Sequence, residues 1–404
     1  MAALLERHPS PVDFGAHDPF ALVGEVVGGR FRVLALRHSG PRGLVYEVEP
    51  PGVGQMRRAL KVLTLPEARE PDVPERLRTV VRGMREVTST HVERVFDVGV
   101  LPDETPFVVT EWLPLPTLEA RLSGPTRLPG PTAVAVLLRV VQAVAALHTR
   151  SIVHGDLRPA HVLLDLRGEE PHELGDLKVV DAGVPAVVNG APSGGPRGSL
   201  AYLAPECLSG HGRTFASDVY ALGVLAYRLL THVLPYRPDD PRASSHDADP
   251  AARVRWLHQN ASPVRPSKLV TWADFSPALE AVVGRAMAKS VSERHPDAQA
   301  LLTALEEALN APMPGNPGQV AIPRAPTPAG DLKTLLSLNG LVEPQRSVAD
   351  GAQTPRFTRS ALTSVASPPE NEVDETAALR SGPPLWAWSA AGLLTGVTLA
   401  LLTR

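Results

Sequence analysis

Short runs of alternating apolar and polar residues fill the first third of the chain. An alternation with a period of two is typical of strands that bury one face. The runs are Phe31 to Leu36, Leu44 to Val48, Leu60 to Leu63, Val92 to Val98 and Phe107 to Thr110. A charged stretch from about Pro74 to Val87 interrupts them with a helical pattern. The pattern therefore predicts a small sheet-rich unit that contains one helix.

The next part of the chain is mainly helical in pattern. From Ala133 to Leu147 apolar residues recur at helical spacing, and Asp218 to Leu230 and Pro277 to Leu309 are further helical regions with turns between them. A sheet-rich lobe followed by a larger helical lobe is an α+β architecture. We expect a cleft between the two lobes, where a ligand usually binds.

Two segments outside this region lack the composition of a packed domain. Residues 1–20 carry charges and no apolar run of signal-peptide length, and we expect a flexible N-terminus there. Residues 311–384 hold 12 prolines in 74 residues, which predicts a Pro-rich linker. The folded domain is therefore expected to occupy residues 21–310.

A final segment, Leu385 to Thr403, has 19 residues without a charge. A helix of that length just crosses a hydrocarbon core of roughly 30 Å, and tryptophans at 386 and 388 stand where an interfacial aromatic belt would lie. We expect a transmembrane helix over 385–403, the alternative being a buried C-terminal helix. Because the N-terminus has no signal, we expect a single-pass membrane protein with its folded domain in the cytoplasm. Gly392 and Gly396 have the spacing of a helix-dimer face, which leaves a homodimer open.

Composition narrows the function further. The 40 basic residues nearly balance the 43 acidic residues, for a net charge of −3, so a protein held to nucleic acid by bulk charge is disfavoured. Cys207 is the single cysteine, which excludes an internal disulfide and any multi-cysteine metal site.

Two features of the first lobe carry candidate chemistry. Gly40 and Gly43 lie between the first two strands, where glycines most often mark only a tight turn. Lys61 interrupts an otherwise apolar strand. It could face outward at a sheet edge, or it could supply a fixed positive charge for a phosphate in the cleft.

The second lobe adds a series of short motifs. The run His154-Gly155-Asp156-Leu157-Arg158 follows the long helix, and Asp181-Ala182-Gly183 follows an apolar pair further on. Two aspartates beside short apolar strands could supply a general base and a metal ligand. The series continues with Ala204-Pro205-Glu206 and with residues 217–223.

Taken in order, these motifs resemble the protein kinase family, specifically the bacterial eukaryotic-like serine/threonine kinases. The opening residues 27–34, the run Ala-Tyr-Leu-Ala-Pro-Glu at 201–206 and the late Ser-Glu-Arg-His-Pro at 292–296 resemble the same group. The resemblance covers about residues 21–310. It implies a bilobal protein kinase-like fold, with an N-lobe over 21–112 and a C-lobe over 113–310.

The resemblance also implies ATP and Mg²⁺, or Mn²⁺ in its place, as cofactors. Asp156 and Arg158 would be catalytic, the first accepting or orienting the substrate hydroxyl and the second lying near the γ-phosphate. Asp181 would bind the metal ion, with His161 as a doubtful second ligand. The expected ATP-binding residues are Gly40, Gly43, Val45, Ala59, Lys61, Glu111, Leu113 and Leu163.

Several positions depart from the family pattern. His38 stands in place of the first glycine of the loop, and His161 in place of the asparagine that binds metal, although imidazole suits metals softer than Mg²⁺. Ala182 replaces a phenylalanine, and Gly155 replaces the arginine before the catalytic aspartate.

The family's helix glutamate, which would pair with the lysine, falls by count near Val80. Glu75 and Glu86 are nearby but lie on other faces of the predicted helix. The sequence therefore predicts that this glutamate is lost, unless an insertion or deletion brings one of the two into place.

The sequence favours a membrane-tethered serine/threonine protein kinase that acts on protein substrates. The alternative is a pseudokinase, a nucleotide-binding or scaffold signalling module that recruits partners. A small-molecule kinase is disfavoured because residues 198–202 resemble the peptide-binding segment of protein kinases. No nucleic-acid partner is expected.

Overall fold

The structure is a computed structural model of the 404-residue chain. It describes residues 18–40, 43–52, 56–166, 174–188, 200–243, 249–270 and 276–311, and every structural statement below concerns these residues. The chain divides into two units at residue 324, and all described residues lie in the first. The predicted linker beyond 311 and the predicted membrane span at 385–403 lie outside the described residues.

The N-terminal lobe is built on an antiparallel sheet of six strands in the order β1-β2-β3-β4-β6-β5. The strands are β1 (Val26–Val27), β2 (Phe31–Gly40), β3 (Gly43–Glu49), β4 (Arg58–Leu63), β5 (Val95–Val100) and β6 (Pro106–Glu111). Phe31, Tyr46, Leu60 and Phe107 are among the side chains that form its apolar core. The alternating sequence pattern places them there because successive residues of a strand point to opposite faces.

One helix, α1 (Val73–Arg85), packs against β5. Its buried residues are Val73, Leu77, Val81 and Met84, at the helical spacing of three and four, and Pro74 lies in its first turn, where a missing N–H costs little. The opposite face is charged and exposed.

The C-terminal lobe contains eight helices among the described residues and one hairpin. The helices are α2 (Leu118–Leu122), α3 (Gly130–His148), α4 (Val184–Val188), α5 (Pro205–Leu208), α6 (Phe215–Thr231), α7 (Pro250–Asn260), α8 (Pro277–Ala286) and α9 (Ala298–Asn310). The hairpin pairs β7 (Val162–Leu166) with β8 (Leu174–Val179). α3 and α6 are the most buried helices and form the centre of the lobe.

Helix α3 also has the length and apolar composition that a membrane span requires, and it alone does so within the part of the chain that the structure describes. More than half of its apolar stretch, 56%, is buried inside the structure. It packs against α6, α9 and β8. We therefore interpret α3 as the core helix of the lobe.

The predicted α+β architecture is observed. Two elements differ from their predicted extent: one strand is shorter, and one helical region is divided. The strand predicted over Val92 to Val98 begins only at Val95, because residues 91–93 bond to Val179 of the other lobe instead. The helical region predicted over 277–309 is two helices. The break precedes Pro296, which disfavours helix at the residue before it, and α9 restarts with Asp297 as its N-cap.

Candidate active site

Lys61 lies at the centre of the candidate site. It belongs to β4, between Val45 of β3 and Val108 of β6. Its Nζ donates to both carboxylate oxygens of Glu93, at 2.8 and 3.0 Å, and to Oδ1 of Asp181 at 2.6 Å. Burial alone would lower the pKa of Lys61, but the two carboxylates outweigh it and raise the pKa, so the amine is charged.

Asp181 follows β8 and reaches into the cleft from the C-terminal lobe. Its backbone adopts φ +62°, a left-handed conformation that few non-glycine residues occupy and that often marks a functional position. Burial would raise the pKa of its carboxyl, but the ammonium of Lys61 outweighs burial and lowers it, so it is ionised. Oδ1 is held by Lys61, and Oδ2 is 3.7 Å from Nε2 of His161.

The loop that carries Asp156 is fixed by a buried carboxylate on α6. Asp218 accepts hydrogen bonds from the backbone N–H groups of His154 and Gly155, at 2.7 and 2.9 Å, and from Nε2 of His148 at 3.1 Å. The N–H of Asp156 donates to Nδ1 of His154. Burial lowers the pKa of His154, so the ring is neutral and can accept this bond.

Arg158 and His161 join the two aspartates. Nδ1 of His161 donates to the backbone carbonyl of Asp156 at 2.7 Å, which leaves Nε2 to accept from Arg158 at 3.3 Å. The carboxylate oxygen Oδ2 of Asp156 is 3.5 Å from His161 Nδ1 and 3.5 Å from Arg158 Nε. The contacts therefore run without a break from Lys61 through Asp181 and His161 to Asp156.

This donor set fits one divalent cation that arrives with the phosphates of a nucleotide. Mg²⁺ is commonly bound by one or two carboxylates, with phosphate oxygens and water completing its shell, and Asp181 supplies one ionised carboxylate. His161 Nε2 lies 3.3 Å from Arg158 and 3.7 Å from Oδ2 of Asp181, so the ring stands beside the carboxylate that would hold the metal ion. No group of three or more metal-ligating side chains occurs among the described residues.

The predicted phosphate loop occupies the ends of β2 and β3, and its tip at 41–42 lies outside the described residues. Gly43 packs directly on the backbone of β4, because an added Cβ would stand 2.2 Å from the carbonyl oxygen of Val62. The ring of His38 lies beside Gly40, where an added Cβ would meet Nε2 at 2.9 Å. The ring of His38 therefore packs closely on the backbone of this loop.

The predicted adenine-binding residues come from three places around the cleft. Val45 and Ala59 lie on adjacent strands, Leu113 follows β6, and Leu163 lies in β7. The side chain of Glu111 is engaged elsewhere, since its Oε1 accepts from Lys178 at 2.7 Å and from the backbone N–H of Arg94 at 2.8 Å. The carboxylate of Glu111 therefore links the end of β6 to β8 and to the segment before β5.

The structure shows the surroundings of three positions that depart from the family pattern. Val80 lies against Gly183, since a Cβ added at Gly183 would come within 2.5 Å of Cγ1 of Val80. Ala182 is buried in the core of the C-terminal lobe. Arg213 comes from another part of the chain to lie beside Gly155, its Cδ 3.1 Å from where a Cβ on that residue would stand.

Sequence reasoning missed Glu93 as the carboxylate partner of Lys61. Neither Glu75 nor Glu86 takes that place, because they pair with Arg78 and Arg150 on the exposed surface. The signal that could have found Glu93 is its position, an acidic residue near the start of the run Val92 to Val98, which was expected to be half-buried strand.

The matching family model is that of the protein kinase domain, and it covers residues 39–305. The chain belongs to the protein kinase family. Among curated relatives it is 34% identical over 299 residues to the serine/threonine-protein kinase Pkn1 of Myxococcus xanthus, a match that covers 73% of this chain and 40% of that protein. It is 24% identical to the serine/threonine-protein kinase PrkC of Bacillus subtilis, over 72% of this chain and 42% of the relative. The resemblance to bacterial serine/threonine kinases is thus confirmed.

Solved structures agree on the fold. The kinase domain of PknI from Mycobacterium tuberculosis superposes with a TM-score of 0.52 at 22% identity, over 71% of this chain and 100% of that one. Rad53 (1–466) in complex with AMP-PNP gives a TM-score of 0.52 at 18% identity, over 68% of this chain and 64% of that one. The chain spans about two fifths of the length of the curated relatives it matches.

Proposed function

We propose that this protein is an ATP-dependent serine/threonine protein kinase that transfers the γ-phosphoryl group of ATP to a protein hydroxyl. The observation that carries the proposal is the convergence of Lys61, Asp181 and Asp156 on one cleft, linked through His161 by contacts of 2.6 to 3.7 Å. Phosphoryl transfer needs mainly positioning and charge stabilisation, and these three groups supply both.

Each group has one role in this reaction. The ammonium of Lys61 binds the α- and β-phosphates. Asp156 accepts the proton of the substrate hydroxyl while the oxygen of that hydroxyl forms its bond to the γ-phosphorus and the bond to the β-phosphate oxygen breaks, which releases ADP. Arg158, 3.5 Å from Asp156, lies where its guanidinium can stabilise charge on the transferred group. Asp181 would hold a divalent cation, which neutralises phosphate charge when it is bound.

The proposal is tested with the purified full-length chain, radiolabelled ATP and a general protein acceptor, with Mg²⁺ and Mn²⁺ in separate reactions. We expect phosphate on Ser or Thr, and a loss of at least about a hundredfold in Asp156→Asn because the proton acceptor is removed. A matched control is Asp97→Asn, an aspartate on β5 outside the site, which should keep the wild-type rate.

The outcomes separate the two candidate functions. Transfer in neither metal, together with a rise in melting temperature on addition of ATP, would support the nucleotide-binding pseudokinase instead. No transfer and no effect of ATP on the melting temperature would reject nucleotide chemistry altogether.

We further propose that the chain is tethered to a membrane through residues 385–403, with the kinase domain in the cytoplasm. The support is compositional: 19 uncharged residues with two tryptophans at one end. Cell fractionation of the full chain should place it with membranes. Leu394→Arg, which puts a charge at the centre of the segment at a cost of about 3 kcal/mol, should shift the protein toward the soluble fraction. A wild-type chain that fractionates as soluble contradicts the tether.

A further inference from the structure

We infer that Glu93 is the positioning residue for Lys61, and that it replaces the glutamate that α1 lacks. Glu93 lies in the segment between α1 and β5, outside the helix. The inference rests on the proposed function, because it assigns the partner that holds the phosphate-binding lysine. It implies that the lysine is oriented without any contribution from α1.

The ion pair between Lys61 and Glu93 is short and well buried. Both oxygens of the Glu93 carboxylate lie within 3.0 Å of Nζ of Lys61. The Glu93 side chain is only 5% exposed, whereas the Asp181 side chain is 35% exposed. A charged hydrogen bond is strongest where water is excluded, so Glu93 is the better sheltered of the two partners. When phosphates enter the cleft, Lys61 can leave Asp181 for them and keep its bond to Glu93.

Glu93 is anchored to β8, the strand that leads to Asp181. Its backbone N–H donates to the carbonyl of Val179 at 2.9 Å, and the N–H of Val179 donates to the carbonyl of His91 at 2.8 Å. Val92 and Val179 form a parallel bridge between these bonds. The Glu93 carboxylate also accepts from the backbone N–H of Asp181 at 3.1 Å. One carboxylate therefore sets the lysine and the aspartate at fixed positions relative to each other.

Helix α1 offers no competing carboxylate. Val80 faces Gly183 with an apolar side chain. Glu75 is 70% exposed beside Arg78, and Glu86, directly after the helix, is 60% exposed beside Arg150. A displacement of α1 would thus leave the Lys61–Glu93 pair in place, because neither of its residues belongs to the helix.

The test measures ATP affinity of the full-length chain by titration calorimetry in the presence of Mg²⁺. Removing one partner of a buried charge pair should weaken binding, and for Glu93→Gln we expect at least about a tenfold loss. Glu75→Gln and Glu86→Gln are matched controls, with the same chemical change at the two glutamates nearest in sequence to the helix position, and should keep wild-type affinity. Glu93→Asp should recover part of the loss.

A double-mutant cycle separates positioning from a general effect on folding. If Glu93 acts through Lys61, then Glu93→Gln should cost nothing further in a Lys61→Met background. Glu93→Gln leaves Lys61 with Asp181 as its charged partner, so this variant should fold, and its melting temperature checks this.

Equal losses in the two backgrounds, or an unchanged affinity in Glu93→Gln, would overturn the inference. So would loss of affinity in the Glu75 or Glu86 variants. Because binding is measured without turnover, a wild-type chain that binds ATP but transfers no phosphate defeats the proposed activity and leaves this assignment standing. A wild-type chain that binds no ATP overturns both.

Discussion

At the scale of single residues, His161 stands beside the carboxylate that would hold the metal ion. Its ring bridges the backbone of Asp156 and the guanidinium of Arg158, and it stands 3.7 Å from the carboxylate of Asp181. Nitrogen at this position is a poorer ligand for Mg²⁺ than oxygen, because Mg²⁺ binds oxygen donors in strict octahedral geometry.

We predict that His161→Asn raises the Mg²⁺-supported rate of transfer by roughly tenfold, because the amide oxygen can face the metal while the amide nitrogen keeps a bond to the carbonyl of Asp156. The ratio of initial rates with Mg²⁺ and Mn²⁺ measures this. His211→Asn, an exposed histidine outside the site, is the control. A ratio that is the same in the His161 variant and the wild type would show that the missing oxygen does not limit the enzyme.

The sequence predicted some site residues and not others for a physical reason. Lys61 stands in an apolar strand, and Asp156 and Asp181 stand in loops beside short apolar strands, so their neighbours in the chain identify them. Glu93 has no such motif. Its role depends on contacts with Lys61 of β4 and with the backbone of Val179 in β8. Because these segments are far from Glu93 in the chain, the contacts leave no local pattern in the sequence.

At the scale of elements, the close approach of α6 and α8 depends on Gly223. A Cβ at this position would stand 2.7 Å from Cγ of Met287 and 2.9 Å from Cβ of Ala286. The two helices therefore touch through backbone and short side chains. A Cβ added at Gly284 of α8 would meet no atom of the described residues within 4 Å, so this glycine of the same region lacks that constraint.

We predict that Gly223→Ala lowers the free energy of unfolding by about 1 to 3 kcal/mol, since overpacking outweighs the gain in helix propensity. Gly284→Ala should raise it by up to about 1 kcal/mol, because only propensity changes there. Denaturant unfolding followed by circular dichroism measures both. If Gly223→Ala is as stable as the wild type, the helices separate at no cost and the contact does not constrain them.

The bounds of the strands were predictable where they depend on neighbouring residues, and not where they depend on contacts with distant segments. The period-two pattern located β2, β3, β4 and β6, because the buried face of each strand is visible in the alternation of its own residues. It misplaced the start of β5, because residues 91–93 alternate in the same way but bond to Val179 rather than to a neighbouring strand.

At the scale of the whole molecule, the resemblance predicted two lobes with a cleft, and the chain builds them with a separate apolar core in each. Lys61 and Asp181, which face each other across this cleft, are 120 residues apart in the chain. The C-terminal lobe is braced by a buried ion pair in which the guanidinium of Arg294 donates to both carboxylate oxygens of Glu206, each at 2.7 Å. Breaking such a pair is costly, so these two positions hold the fold rather than the chemistry.

The bond between Lys61 and Glu93 has a consequence for chemical inhibition. Compounds that wedge a helix outward disable an enzyme only when that helix carries a residue the active site needs. Here the carboxylate that pairs with the lysine lies in a segment bonded to the opposite lobe, so we expect a wedge behind α1 to leave the Lys61–Glu93 pair in place.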